Sequence, residues 1–291
     1  MITGNPAAQP ITKDAKTEDE KVDWLAELRG LALMLLAVVG FHSFIAKPFY
    51  IPSESMMPNL LVGDRLVVSK YPYGWNWSSI SFHVAPRGDW RIWGSAPEYG
   101  DIVIPVHPVK DEDYIKRVVG LPGDRIAVRN GQIILNGQPV PQTVEPAIEI
   151  PLDANSRCNG FGLYDFRVTR PDGTRACQLP VYRETMPNGA TYLVIDHENQ
   201  RLDNFGEIRI PDDSVFVMGD NRDHSSDSRA YDDSGLAGPI PLTNIGGRAE
   251  FITFSLDGTT SLNPLSWFTS LRSGRAWSTL RPPLVERTPA E

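Results

Sequence analysis

The chain has 291 residues, with 28 Lys+Arg against 36 Asp+Glu and a formal net charge of -8. Hydrophobic residues at 41% and charged residues at 22% describe a globular protein and exclude wholesale disorder and collagen-like structure. An acidic balance without a long basic block also argues against nucleic acid as a partner.

The first 29 residues carry six acids (Asp14, Glu18, Asp19, Glu20, Asp23, Glu27) against the bases Lys13, Lys16, Lys21 and Arg29. Residues 30–46, GLALMLLAVVGFHSFIA, then carry no full charge, and His42 is their one ionisable side chain. Seventeen helical residues at ~1.5 Å each span roughly 26 Å, near the lower limit for crossing a bilayer. Phe49, Tyr50 and Ile51 would lengthen the apolar band, Lys47 would snorkel to the interface, and Pro48 would end or kink the helix. A cleaved secretory signal fits poorly, because the lead is long and acidic and Phe44 takes the -3 place if Ala46 is -1. The expectation is an uncleaved anchor over 30–47. Four bases precede it and only Lys47 closely follows, which puts the N-terminus in the cytoplasm and the remainder outside.

Beyond Ile51, short apolar runs bounded by turn residues dominate: 65–69, 101–105, 114–119, 125–128, 132–135, 191–195, 215–218 and 249–254. Val, Ile and aromatics fill them while Gly and Pro punctuate them. Asn136-Gly137, between Ile133-Ile134-Leu135 and Gln138-Pro139-Val140, is a two-residue hairpin signal. The predicted fold is mostly β: an antiparallel β core with an inserted smaller β subdomain, preceded by one transmembrane helix. A composition shift toward Pro, Asn, Gly and charge assigns the insert to 131–211, the core to 48–130 and 212–261, and a tail to 262–291. Cys158 and Cys177 lie in the insert, either as a bridge contributing roughly 3 kcal/mol or as two free thiols. The aromatic stretch Tyr71, Tyr73, Trp75, Trp77, Phe82, Trp90 and Trp93 is either a membrane-facing surface or a core segment. In the tail, Trp267, Phe268, Leu271 and Trp277 mix with Arg272, Arg275, Arg281 and Arg287, as suits a membrane interface or a loosely ordered end.

The chemistry concentrates in two places. Ser53-Glu54-Ser55 sits between prolines in Ile51-Pro52-Ser53-Glu54-Ser55-Met56-Met57-Pro58, a rigid setting that can hold one hydroxyl toward a substrate. A serine hydroxyl needs a base at neutral pH. In Tyr114-Ile115-Lys116-Arg117-Val118-Val119, alternation puts Lys116 and Arg117 on opposite faces, so one base faces inward or into a cleft. A lysine acts as a base only when desolvation lowers its pKa, and Ile115, Val118 and Met56 are apolar neighbours that supply such a wall.

These segments, with Gly63-Asp64, Gly100-Asp101 and Gly219-Asp220-Asn221-Arg222-Asp223-His224-Ser225-Ser226-Asp227-Ser228-Arg229, resemble in order the bacterial type I signal peptidase (leader peptidase) family. The resemblance implies a membrane-anchored serine endopeptidase that removes signal peptides after small residues, of Ala-x-Ala type, through a Ser-Lys dyad. It implies Ser55 as nucleophile, Lys116 as general base, Ser53 as an oxyanion donor, Ser225 as the residue orienting Lys116, and Asp227 with Arg229 as a structural ion pair. Phe49, Ile51, Pro52, Met56, Leu60, Ile104, Tyr114 and Ile115 are implied as walls of shallow substrate pockets. The implied partners are preprotein signal peptides and membrane lipid. A monomer is expected, placed in the bacterial inner membrane with its catalytic part on the extracytoplasmic side. No cofactor, metal or nucleic acid is expected. His224, Ser226 and Asn59 depart from the commonest forms of their motifs, and residues 230–234 lengthen the loop after Arg229.

Two other readings weigh less. A Ser-His-Asp hydrolase using Ser55, His224 and Asp223 or Asp220 lacks a Gly-x-Ser-x-Gly elbow. A metal module from Asp220, Asn221, Asp223 and Asp227 misses the calcium-loop spacing.

Overall fold

The computed structural model describes residues 23–159 and 162–285, so Lys13, Lys16, Lys21 and Arg287 lie outside the described residues. The chain divides after Val38, and residues 39–285 form one compact unit.

The apolar run forms the helix Trp24–Phe44, long and apolar enough to cross a membrane. Its 21 residues extend about 31 Å, so it gains at its N-terminal end what the run of seventeen lacked. It does not continue to Pro48. Ala46–Tyr50 is instead a strand paired antiparallel with Asp64–Ser69, and Pro48 is accommodated because that strand is the edge of its sheet.

The principal sheet has seven strands in the order Ala46–Tyr50, Asp64–Ser69, Ile245–Ser255, Ile102–Pro105, Lys116–Gly120, Ser214–Met218 and Ile240–Pro241. Every pairing in it is antiparallel. Seven of the eight predicted apolar runs emerge as strands within one or two residues of their expected ends, and the eighth, 249–254, lies within the longer strand Ile245–Ser255. Asn136 and Gly137 have φ of 53° and 80° and join Gln132–Leu135 to Gln138–Pro139, the geometry that Asn-Gly accepts cheaply.

Lys116–Gly120 is an interior strand and every one of its residues is buried. Val118 packs in one hydrophobic cluster, with Val103, Val215 and Val217, and Val119 in another, with Ile126, Phe216 and Met218. Both faces of the strand are therefore covered. For that reason Lys116 and Arg117 are both buried, where alternation alone predicted one inward base.

Between Gly120 and Ser214 the chain adds two four-stranded sheets. One pairs Phe205–Arg209 with Arg125–Arg129, Gln132–Leu135 and Gln138–Pro139. The other is built on Arg175–Thr185, flanked by Gln142–Pro151, Arg167–Thr169 and Thr191–Val194. A disulfide joins Cys158 to Cys177 of the Arg175–Thr185 strand. The C-terminal segment is tied down as far as Val285. Arg272 pairs with Asp153, Arg275 with Asp64 and Arg281 with Asp101, and Val285 N–H donates to Gly189 O.

The aromatic stretch divides between its two readings. Tyr73 and Trp77 are buried, and Tyr73 Oη donates to Asp101 Oδ2 at 2.6 Å. Phe82 and Trp93 are 81% and 86% exposed.

Candidate functional site

Ser55 follows the edge strand in a turn closed by Ile51 N–H donating to Asp64 O and Gly63 N–H donating to Ile51 O. The turn is gripped from the other side by the Gly219–Arg229 segment. Asn221 N–H donates to Ser55 O at 3.1 Å and its Nδ2 donates to Glu54 O at 3.2 Å. Gly219 has no room for a side chain: a Cβ there would lie 2.3 Å from Ser225 Oγ and 2.5 Å from Ser55 O. Gly219→Ala is therefore expected to displace the Ser55 backbone and lower kcat about 100-fold, with the fold retained by circular dichroism. Unchanged kcat would contradict this close approach.

Across the sheet, Lys116 Nζ donates to Ser55 Oγ at 2.9 Å and to Ile115 O at 2.9 Å. The two residues are 61 apart in the chain and both are buried. Burial pushes the Lys116 ammonium down to about 8, against the opposing pull of the Asp227 and Asp220 carboxylates. Ser53 Oγ stands 3.5 Å from Ser55 Oγ. Ser225 is buried beside Gly219, and its Oγ makes no hydrogen bond to Lys116 among the described residues; it faces the Asp227 carboxylate instead.

Asp227 and Arg229 form a fully buried bidentate pair, with Nε–Oδ1 3.0 Å and Nη2–Oδ2 2.9 Å. Burial alone would raise the Asp227 carboxyl, but the Arg229 charge and hydrogen bonds, with the Gly219 N–H, hold it below its ordinary value. Two further buried pairs escaped the reading of the sequence. Arg117 donates through Nε and Nη2 to Asp220 at 2.7 Å each, and Asn59 Nδ2 donates to the same carboxylate at 2.7 Å. Arg222 forks onto Glu184 at 2.7 and 2.5 Å. The charge-rich run of residues 220–229 was the available signal, but nothing local says which acid meets which base.

A cleft of about 310 Å³ opens on the Ser55 hydroxyl. Of the eight residues expected to wall it, Pro52, Tyr114 and Ile115 do so. Ile51, Met56, Leu60 and Ile104 are buried in one core cluster with Phe49 packed half-buried against it. Asp113, His224, Ser226 and Ser234 complete the wall. Ser234 belongs to the lengthened loop, which folds back over the cleft. Tyr114 Oη donates to Ser234 O at 3.0 Å, and Ser226 Oγ and Ser234 Oγ are 3.0 Å apart. Of the two acids a histidine-based triad could use, Asp223 binds the His197 and Glu198 N–H groups and Asp220 binds Arg117.

The family model described as signal peptidase, peptidase S26, matches residues 23–254. Signal peptidase I of Rickettsia akari is 32% identical over 254 residues, 84% of this chain and 83% of that one. Signal peptidase I of Rickettsia typhi is 31% identical over 239 residues, 79% of this chain and 80% of that one. Signal peptidase I of Pseudomonas aeruginosa is 31% identical over 222 residues, 74% of this chain and 67% of that one.

Proposed function

The chain belongs to the signal peptidase family, peptidase S26, hydrolases that remove signal peptides as serine peptidases, and from that premise we propose that Ser55 is its nucleophile and Lys116 its general base. The observation that carries the assignment is the 2.9 Å contact from Lys116 Nζ to Ser55 Oγ at a buried amine whose pKa falls to about 8. A neutral Lys116 takes the Ser55 proton as Oγ attacks the scissile carbonyl carbon. The negative charge that develops on the carbonyl oxygen is met by the Ser55 N–H, which donates to no group among the described residues, and by Ser53 Oγ. The Lys116 ammonium then protonates the leaving amine, and the neutral amine it regains activates water to hydrolyse the ester. Asp227–Arg229 and Arg117–Asp220 hold the walls of this site without touching substrate.

Cleavage after Ala-x-Ala follows from shallow walls at Pro52, Tyr114 and Ile115, which exclude bulk by overlap. The helix Trp24–Phe44 anchors the enzyme in the bacterial inner membrane, and the exposed Phe82 and Trp93 face the lipid. The lysine bias and the Cys158–Cys177 bridge favour an extracytoplasmic catalytic part. The catalytic core comprises residues 48–130 and 212–261, with 131–211 inserted, and works as a monomer.

Purified protein in detergent, given a preprotein with Ala at -3 and -1, tests the reading. Ser55→Ala is expected to abolish cleavage, and Ser53→Ala to slow it by 10²–10³ through loss of one oxyanion donor. Equal cleavage by Ser55→Ala and the parent chain would refute it.

A further inference from the structure

Where the Gly219–Arg229 segment meets the chain after Ile195, three carboxylates converge. Asp196, Asp203 and Asp223 each offer an oxygen, and these oxygens all lie within 4.8 Å of one another. Asp203 is 4% exposed and the Asp223 side chain is wholly buried. One oxygen of each is spoken for. Asp203 Oδ2 accepts from Gln200 N–H at 2.6 Å, and Asp223 Oδ2 accepts from the N–H groups of His197 and Glu198 and lies 2.8 Å from His197 Nδ1. The other oxygen of each, Oδ1, is buried without a hydrogen-bond partner among the described residues.

Buried carboxylate oxygens left in this state are costly, because burial strips their water and crowding adds like-charge repulsion. The two arginines whose charge reaches Asp196 do not relieve it. Arg222 is forked onto Glu184 and Arg229 onto Asp227, so each is already matched to its own acid. The opposite side opens into a cavity of about 310 Å³ that Asn130, Gln142 and Asn199 also line, which brings amide oxygens and a path for entry. Gly131, at φ +80°, passes so close that a Cβ would lie 2.0 Å from Asp196 Oδ2.

We infer that Asp196, Asp203 and Asp223 bind a divalent cation, and that calcium fits best. Calcium takes six to eight oxygen ligands at about 2.3–2.6 Å in flexible geometry, so oxygens up to about 4.8 Å apart can share one ion. Magnesium demands a tighter octahedron, and an all-oxygen donor set does not favour zinc or copper. The sequence concealed the site because its ligands come from two segments. Asp196 and Asp203 bracket a loop, and Asp223 reaches them only because Ile195 bridges Asn221 and Arg222 N–H donates to Ile195 O. The ion braces the segment whose Asn221 grips the Ser55 turn.

The test is thermal unfolding of the full chain in detergent after chelation, with calcium chloride added back. The melting temperature is expected to rise by roughly 5–10 °C at a hundredfold excess over Kd, with calorimetric titration giving one ion per chain. Asp203→Asn is expected to flatten the shift, and Asp196→Asn, at the cavity side, serves the same purpose if the first variant fails to fold. No rise in the parent chain with calcium, magnesium or manganese overturns the site, as does an equal rise in a folded variant. A rise with magnesium or manganese but none with calcium overturns the assignment of the ion.

Discussion

Lys116→Met is expected to lose about 10⁴-fold in kcat/KM and to melt several degrees higher than the parent chain at pH 7. Both effects come from one buried amine. As the base, Lys116 must be neutral, so kcat/KM of the parent chain rises with pH up to a plateau above about 8. As a buried ammonium below that pH, it costs stability. Its folded pKa lies below the unfolded one, so between about 8 and 10.5 the unfolded chain binds more protons and stability rises with pH. Below about 8 the penalty is present in full, of order 3 kcal/mol, and methionine removes it while filling much the same volume. The paired measurements are a pH–rate profile and melting curves at pH 7 and 10. A variant that retains cleavage refutes Lys116 as the base. One that is inactive and also less stable at pH 7 shows that Lys116 holds the fold and refutes the desolvation argument.

Asp220→Ala is expected to cost about 3–5 kcal/mol, because it strands the Arg117 guanidinium, 3% exposed, and takes an acceptor from Asn59. Arg117→Met with Asp220→Leu removes both charges together, and is expected to cost far less than the sum of the two single changes. Urea midpoints at constant slope measure the cycle. Simple additivity, with each single change below about 1 kcal/mol, would show that the pair contributes nothing. Asp220→Ala also carries a kinetic signature. Asp220 raises the Lys116 pKa, so its removal shifts the rising limb of the pH–rate profile to lower pH.

The strands most legible in the sequence were those that alternate or run apolar between turn residues, such as Asp64–Ser69 and Ser214–Met218. The two long strands of the inserted region were not. Gln142–Pro151 contains Pro146 and Arg175–Thr185 contains Pro180, and proline argues against a strand in any local reading. Here Pro146 falls in the register shift between Glu145 and Ile148, and Pro180 lies opposite it between Leu179 and Val181, so no ladder bond is needed from either. The end of the anchor was misplaced for a related reason. Nothing local breaks a helix before Pro48, but from Ala46 on, pairing with Asp64–Ser69 satisfies the backbone as a strand.

What the sequence determined by itself is local or ordered along the chain. It set the apolar helix, the strand runs, the Asn136-Gly137 turn, and the motifs whose order marks the family. These depend on neighbours a few residues apart, where period and steric preference are readable. Tertiary structure alone decided which ionisable groups meet: Arg117 with Asp220, Arg222 with Glu184, and Asp196 with Asp203 and Asp223. Those contacts depend on sheet order and register, and on burial that removes water from groups distant in the chain. Burial also pulls the Lys116 amine toward its neutral form, because an ammonium is stable in water and costly in a dry sheet.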